Sequence, residues 1–290
     1  MARPNLTWLI TGASSGIGYE LAVYALAQGH QVVATSRSLS RLHPLRAKGA
    51  ALIELDQNQS FEHVQTAIKA ALEVYQGVDI VVNNAAYVQT GMLEETTPEE
   101  TLQEFQANVF GPLNIYRAIL PHFREKRSGL LVTIGSMAAW YPMPGCNLYN
   151  ASKAALRCIG IGLQGELASF GIKHCLIEPG YFRTELLSST ANMAKTDEKS
   201  RIPDYAELNA TNEKNFDAFH GNQLGDPVKG AEIVFNVLTS SGTATGREVP
   251  PFFPLGSDAV SEITKSAEQT IEQVKEWADL SSMSDFPSGK

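Results

Sequence analysis

The sequence predicts an α/β protein built on a doubly wound parallel sheet of about seven strands, with helices on both faces. Three observations carry this. Apolar runs of strand length alternate with amphipathic stretches of ten or more residues, the pattern of a parallel sheet covered on both sides. A glycine-rich turn separates the first run from the first helical stretch. Neither an internal repeat nor a Ser/Gly linker divides residues 1–290, so a single domain is expected.

The elements follow in order. "TWLIT" (7–11), "QVVATS" (31–36), "AALIEL" (50–55), "DIVVNN" (79–84), "GLLVTIGS" (129–136) and "KHCLIEP" (173–179) are rich in β-branched and apolar residues and are predicted strands. Helices are predicted at about 16–28, 61–75, 100–126 and 150–169. Residues 185–225 break the rhythm just after the sixth strand, where ligands bind in such sheets, and are expected to form a lid. A surface excursion is the competing reading. "REVPPFFPLGSDA" should hold a seventh strand, and Pro250, Pro251 and Pro254 make it short and confine it to an edge. Val260, Ile263, Ala267, Ile271, Val274 and Trp277 form a helical stripe over 258–280 that should bury on the core or on a partner, with core packing favoured. Residues 281–290 read as a disordered tail.

A composition of 43% apolar and 19% charged residues is that of an ordinary globular protein. The net charge of −8, with no Lys/Arg run, argues against nucleic acid and anionic membranes and favours a small-molecule role. Cys146, Cys158 and Cys175 have no C-x-x-C spacing and the six histidines form no H-x-x-x-H pair, so neither a disulfide framework nor a metal site is expected. With no secretory leader or 18-residue apolar span to be read, the expected location is cytoplasmic.

"TGASSGIG" places Gly12, Gly16 and Gly18 around Ser14, Ser15 and Ile17, between a strand and a helix. Glycines let the backbone turn tightly against a pyrophosphate, which the N–H groups of a helix N-terminus then hold, so these residues are a candidate dinucleotide cradle. Ser36 and Arg37 follow the second strand, where a carboxylate would bind the ribose 2′-hydroxyl of NAD and an arginine the 2′-phosphate of NADP. The expected cofactor is therefore NADP(H), a solvated Arg37 being the alternative. Tyr149 and Lys153 stand four apart and share one helical face. A nearby ammonium stabilises a phenolate, so Lys153 would lower the pKa of Tyr149 and make it a proton carrier. Ser136, at the end of the fifth strand, can hold a substrate carbonyl oxygen toward that phenol.

Together, "TGASSGIG", "NNAA" (83–86), Asn108 in "QANVFGPLN", Ser136 in "VTIGS", "YNASK" (149–153) and "PGYFRT" resemble, in order over residues 7–184, the short-chain dehydrogenase/reductase family, which has a Rossmann fold. The resemblance implies Tyr149 as general acid in reduction and base in oxidation. Lys153 would tune it and bind the nicotinamide ribose, Ser136 would position the carbonyl, and Asn108 would hold a water of the proton relay. It further implies that Asp56 lies beside the adenine, that Asn83 and Ala85 line the cofactor, and that Pro179, Gly180 and Thr184 place the carboxamide. The family's Asn-Asn-Ala-Gly is Asn-Asn-Ala-Ala here, so Ala86 must take an ordinary backbone conformation.

The expected reaction is hydride transfer between NADPH and a carbonyl or secondary alcohol. Trp140, Tyr141, Met143 and Leu148, with "YVQTGM" (87–92), would make the pocket apolar and suit a bulky lipophilic substrate, steroid-, terpenoid-, polyketide- or retinoid-like, and thus secondary metabolism. A non-redox sensor or cyclase on the same scaffold is the alternative. It is disfavoured because Asn108, Ser136, Tyr149 and Lys153 are all present. The helices at 100–126 and 150–169 resemble those through which family members form homodimers or homotetramers.

Overall fold

The computed structural model describes residues 5–187, 192–219 and 221–286. Nine strands are assigned among these residues: β1 (Thr7–Ile10), β2 (Gln31–Ser36), β3 (Ala51–Glu54), β4 (Ile80–Asn83), β5 (Val88–Thr90), β6 (Gly129–Ile134), β7 (Ile172–Pro179), β8 (Met193–Lys195) and β9 (Phe252–Leu255). The α-helices are α1 (Gly16–Ala27), α2 (His43–Arg46), α3 (Phe61–Val74), α4 (Pro98–Phe105), α5 (Gly111–Lys126), α6 (Asn147–Leu167), α7 (Ala206–Phe219), α8 (Pro227–Thr239) and α9 (Ser257–Ser282). Seven strands form one parallel sheet in the order β3-β2-β1-β4-β6-β7-β9. The chain winds outward from β1 to β3, returns, and winds the other way from β4, which opens a crevice at the carboxyl ends of β1 and β4.

Side chains alternate between sheet faces, and here both faces are apolar. Trp8, Ile10, Val32, Ala34, Val82 and Val132 pack on one side with Leu21 of α1 and Val234 of α8. Leu9, Val33, Val81 and Leu131 pack on the other with Ile68 of α3 and Ile115 and Ile119 of α5. That double coverage is why the strands read as continuous apolar runs. The proline-bearing β9 is four residues long and pairs only with β7, at the edge.

Several expectations need correction. The helix expected over 100–126 is interrupted: a π-helical turn, Gln106–Phe110, separates α4 from α5. Pro112 has no N–H to give the carbonyl four residues back, on Asn108, so the regular ladder cannot run through this point. Ser136 does not close a strand, because β6 ends at Ile134 and Ser136 caps the short turn Met137–Ala139. A second sheet, β5 paired in parallel with β8, was not foreseen, as three-residue strands carry almost no periodic signal.

The stripe on the last helix is largely uncovered. Ala259 and Ile263 are buried against Met137, but Val260, Ile271, Val274 and Trp277 are at least half exposed. At 1.5 Å per residue the 26-residue α9 is about 39 Å long and outruns the sheet edge on which its first turns rest. The expected tail starts as helix, since α9 reaches Ser282 and turn bonds such as Met283 N to Leu280 O carry the chain on to Asp285. Residues 287–290 of that tail, and 188–191 and 220 of the expected lid, lie outside the described residues.

Candidate active site

A cleft of about 390 Å³ opens at the carboxyl ends of the central strands. Its floor begins at the loop between β1 and α1, where Gly12 and Gly16 have φ of +62° and +59°, a region open to glycine at little cost. A Cβ at Gly12 would sit 2.7 Å from Ala85 Cα, so the glycine also permits two loops to touch. Thr11 Oγ1 accepts from Asn84 N at 3.0 Å and Ala85 N at 3.1 Å, while Asn84 Nδ2 donates to Thr11 O at 2.9 Å. Ser15 caps α1 without a side-chain bond, leaving the first N–H groups of the helix for an anion. Ser14, Ser15, Gly16, Ile17, Ala85, Pro179, Gly180 and Thr184 line this cleft with Ser36, Arg37 and Asp56.

Three expected cofactor contacts, Gly18, Asn83 and Lys153, fall off the cleft wall. Gly18 is off the cleft wall, and a Cβ there would meet Asn84 Nδ2 at 2.3 Å, so its smallness lets α1 pack under the loop. Asn83, the last residue of β4, donates to Pro112 O at 3.1 Å on the α5 side and does not line the cleft, which takes Asn84, Ala85 and Ala86 instead. Ala86 has no positive φ, as its side chain requires. Arg41 joins Arg37 at the cleft mouth. The signal was legible as a second arginine four residues on, in the 3-10 turn Leu39–Leu42.

Ser136 and Tyr149 both face the cleft, and Tyr149 is only 9% exposed. Burial holds the phenol above its ordinary range, opposed by a hydrogen bond with Ser136, so it is neutral at pH 7. Lys153 lies behind it, 2% exposed and off the cleft wall, its Nζ donating to Ile134 O at 3.1 Å and standing 5.7 Å from the Tyr149 ring centroid. Its ammonium is therefore set against the ring face, where its charge favours the phenolate, while burial is the largest influence on the phenol. Burial pulls the lysine itself down to about 8, against the opposing fields of Glu104 and Glu178. Asn108 is buried in the π turn, away from the cleft. Its Oδ1 accepts from Tyr87 N at 2.9 Å and its Nδ2 donates to Tyr87 O, Glu104 Oε1 and Ser152 Oγ. The polar atoms of the Asn108 side chain are thus engaged by protein groups. Asn150, which sequence reasoning missed, donates to Ala138 O at 2.8 Å and Tyr141 O at 2.6 Å and fastens the serine turn to the tyrosine helix.

Of the expected pocket wall, Tyr141 and Met143 line the cleft and Trp140 and Leu148 do not. Trp140 donates to buried Glu178, carries the Arg157 guanidinium 4.0 Å from its ring and packs toward Phe252, committing it to the sheet edge. Leu148 precedes Tyr149 by about 100° of helical rotation, which turns it off the cleft. Tyr87, Val88, Cys146, Tyr181, Leu186 and Phe216 complete the wall. Tyr181 Oη meets Tyr141 Oη at 3.1 Å and donates to Met143 Sδ at 3.3 Å.

The insertion after β7 is pinned rather than loose. β8 pairs with β5, and the buried Glu95 accepts from Ile202 N at 2.9 Å and from Asn209 Nδ2 at 2.9 and 3.0 Å, with Arg201 at 3.5 Å. Phe216 of α7 is thereby brought to the cleft. Glu95→Ala would leave these donors unanswered and weaken docking of the segment by about 3 kcal/mol. Limited proteolysis within 196–219 is expected to accelerate roughly a hundredfold, with the circular dichroism of the sheet core retained. An unchanged cleavage rate would show that other contacts hold the segment.

Among the described residues no helix is long and apolar enough to cross a membrane, and no cluster of His, Cys, Asp or Glu could hold a metal. Residues 7–195 match the model of the short chain dehydrogenase family. The oxidoreductase BOA17 of Botryotinia fuckeliana is 32% identical over 282 residues, covering 94% of this chain and 97% of that protein. A short-chain dehydrogenase structure from Streptomyces avermitilis superposes with a TM-score of 0.86 at 35% identity, over 98% of this chain and 100% of that one. The fold is also that of ElxO with NADP bound (TM-score 0.70, 21% identity, 89% and 100% of the chains) and of a Burkholderia phymatum enzyme in complex with NAD (0.76, 24%, 93% and 95%).

Proposed function

From the premise that the chain belongs to the short-chain dehydrogenase family, an oxidoreductase family whose members bind NADP or NAD, we propose that it is an NADPH-dependent reductase of bulky, lipophilic carbonyl compounds. The observation that carries this is the placement of a buried, neutral phenol and a serine hydroxyl on one wall of a cleft whose floor is an anion cradle. The residues fit the dinucleotide. Gly12, Ser14, Ser15 and Gly16 line the cleft beside the open N-terminus of α1, where a pyrophosphate would lie, and Arg37 and Arg41 supply two cations where a 2′-phosphate would lie. The cofactor, when bound, supplies the hydride. Ser136 donates to the carbonyl oxygen and orients it, and Tyr149 Oη delivers the proton that the reduced oxygen takes up. Lys153, behind the ring, opposes the negative charge that the phenol gains.

The lipophilic substrate is supported by Tyr141, Met143, Tyr181, Leu186 and Phe216, which give the outer cleft an aromatic and apolar wall under the pinned segment of the expected lid. Leu102, Phe110 and Ile161 are exposed on α4, the π turn and α6, which supports pairing of copies through these helices. The test is NADPH consumption with a panel of carbonyls matched in reactivity. Bulky apolar ketones are expected to exceed small polar ones in kcat/KM by about tenfold or more. Equal turnover would remove the lipophilic reading, and no consumption with any of them would remove the reductase reading.

A further inference from the structure

Glu104 is a fully buried carboxylate that the reaction above does not use. It stands in the last turn of α4 and does not line the cleft. Its Oε2 accepts from Gln89 N at 2.9 Å, and its Oε1 from Asn108 Nδ2 at 2.6 Å and Ser152 Oγ at 3.0 Å. Ser152 directly precedes Lys153 and also reaches Tyr149 O at 2.8 Å. Among the described residues neither Glu104 nor Lys153 has a direct ion-pair partner within 4.0 Å, so each is a buried ionisable group that feels the other's field without direct contact.

Resting on the reductase reading, we propose that Glu104 is a positioning residue of the Tyr149–Lys153 pair: its buried negative charge keeps Lys153 an ammonium, while its Oε1 fixes Asn108 and Ser152 beside it. The groups that act on Lys153 are Glu104 from α4, Glu178 from β7 and Tyr149 from its own helix. Glu178 already holds Trp140 Nε1 and stands 3.7 Å from Arg157, so its charge is shared, whereas Glu104 meets only neutral donors. Facing Glu104 are Tyr149, Lys153 and Ser152 from α6, Cys146 just before it, Asn108 from the π turn, and Tyr87 and Gln89 from the β5 segment. Burial pushes the Glu104 carboxyl up to about 7 and the Lys153 ammonium down to about 8, and each charge pulls the other back. Removing the carboxylate removes a field that favours the ammonium, so Lys153 must then lose its proton at lower pH.

The test titrates Lys153 by NMR of protein labelled at the lysine ε-carbons, its signal being the one lost in Lys153→Arg. The midpoint is expected to fall by roughly one pH unit in Glu104→Gln and to stay near the native value in Glu104→Asp, which keeps the charge. The alkaline limb of kcat/KM for NADPH-dependent reduction should move the same way in both variants. An Asp variant that moves as far as the Gln variant, or a Gln variant that loses activity with midpoint and limb unmoved, would reduce Glu104 to packing and overturn the proposal. Should Glu104→Gln not fold, the native protein decides: the Lys153 signal must respond as the Glu104 carboxyl titrates, and indifference overturns the idea. The titration needs no turnover. A shifted midpoint in a protein that reduces no carbonyl would thus overturn the reductase reading and leave the Glu104–Lys153 coupling standing.

Discussion

Tyr149→Phe is expected to lower kcat for carbonyl reduction by about 10²–10⁴-fold, the range that a positioned general acid supplies. The phenyl ring fills the same buried space, and the Ser152 bond to the backbone oxygen at 149 is untouched, so folding and NADPH affinity should persist. Stopped-flow turnover alongside fluorescence titration of NADPH separates the two. Substantial retained turnover would remove the role given to the phenol. The same geometry sets a pH dependence. Burial holds the Tyr149 phenol above its ordinary range, so the acid form needed for reduction is present throughout neutral pH. Alcohol oxidation needs the phenolate, and its rate should climb with rising pH.

The second large effect is on the cofactor. Arg37 and Arg41 flank the cleft mouth beyond β2, and no carboxylate takes the place after that strand where a ribose 2′-hydroxyl would be bound. Charge-assisted hydrogen bonds contribute about 1.5–3 kcal/mol each, so Arg37→Ala/Arg41→Ala should weaken NADPH binding roughly a hundredfold or more. NADH, lacking the 2′-phosphate, should lose less than about threefold. Dissociation constants from fluorescence quenching decide this, and an equal loss for both nucleotides would mean that the arginines act through loop structure.

How far the site was legible follows from how local each signal is. Gly12, Gly16, Ser136 and Tyr149 were readable because a glycine turn, the segment just past a strand and a helical spacing each constrain residue type within a few positions, and all of them line the cleft. Asn83 and Gly18 were misplaced because the side of a strand end or first helical turn on which a residue falls depends on what packs there, Pro112 O and Asn84 in these two cases. Trp140 was misread for the same reason: a tryptophan beside a site reads as pocket wall until Arg157 and Glu178 are seen to claim it. Tyr181 and Phe216 were missed because an apolar residue in a long insertion carries no periodicity to place it.

The sequence by itself determined the sheet, the cradle and the tyrosine helix, since a doubly covered strand must be apolar throughout and a left-handed turn strongly favours glycine. The proline-bearing last strand and its edge position were determined in the same way, by missing N–H donors. Only the tertiary structure decided how the candidate site is wired. Glu104, Asn108 and Ser152 come from separate segments, and whether the buried carboxylate meets a lysine's field or only water is a matter of packing. Charge interactions in a buried site depend on distance and desolvation, which no spacing along the chain encodes.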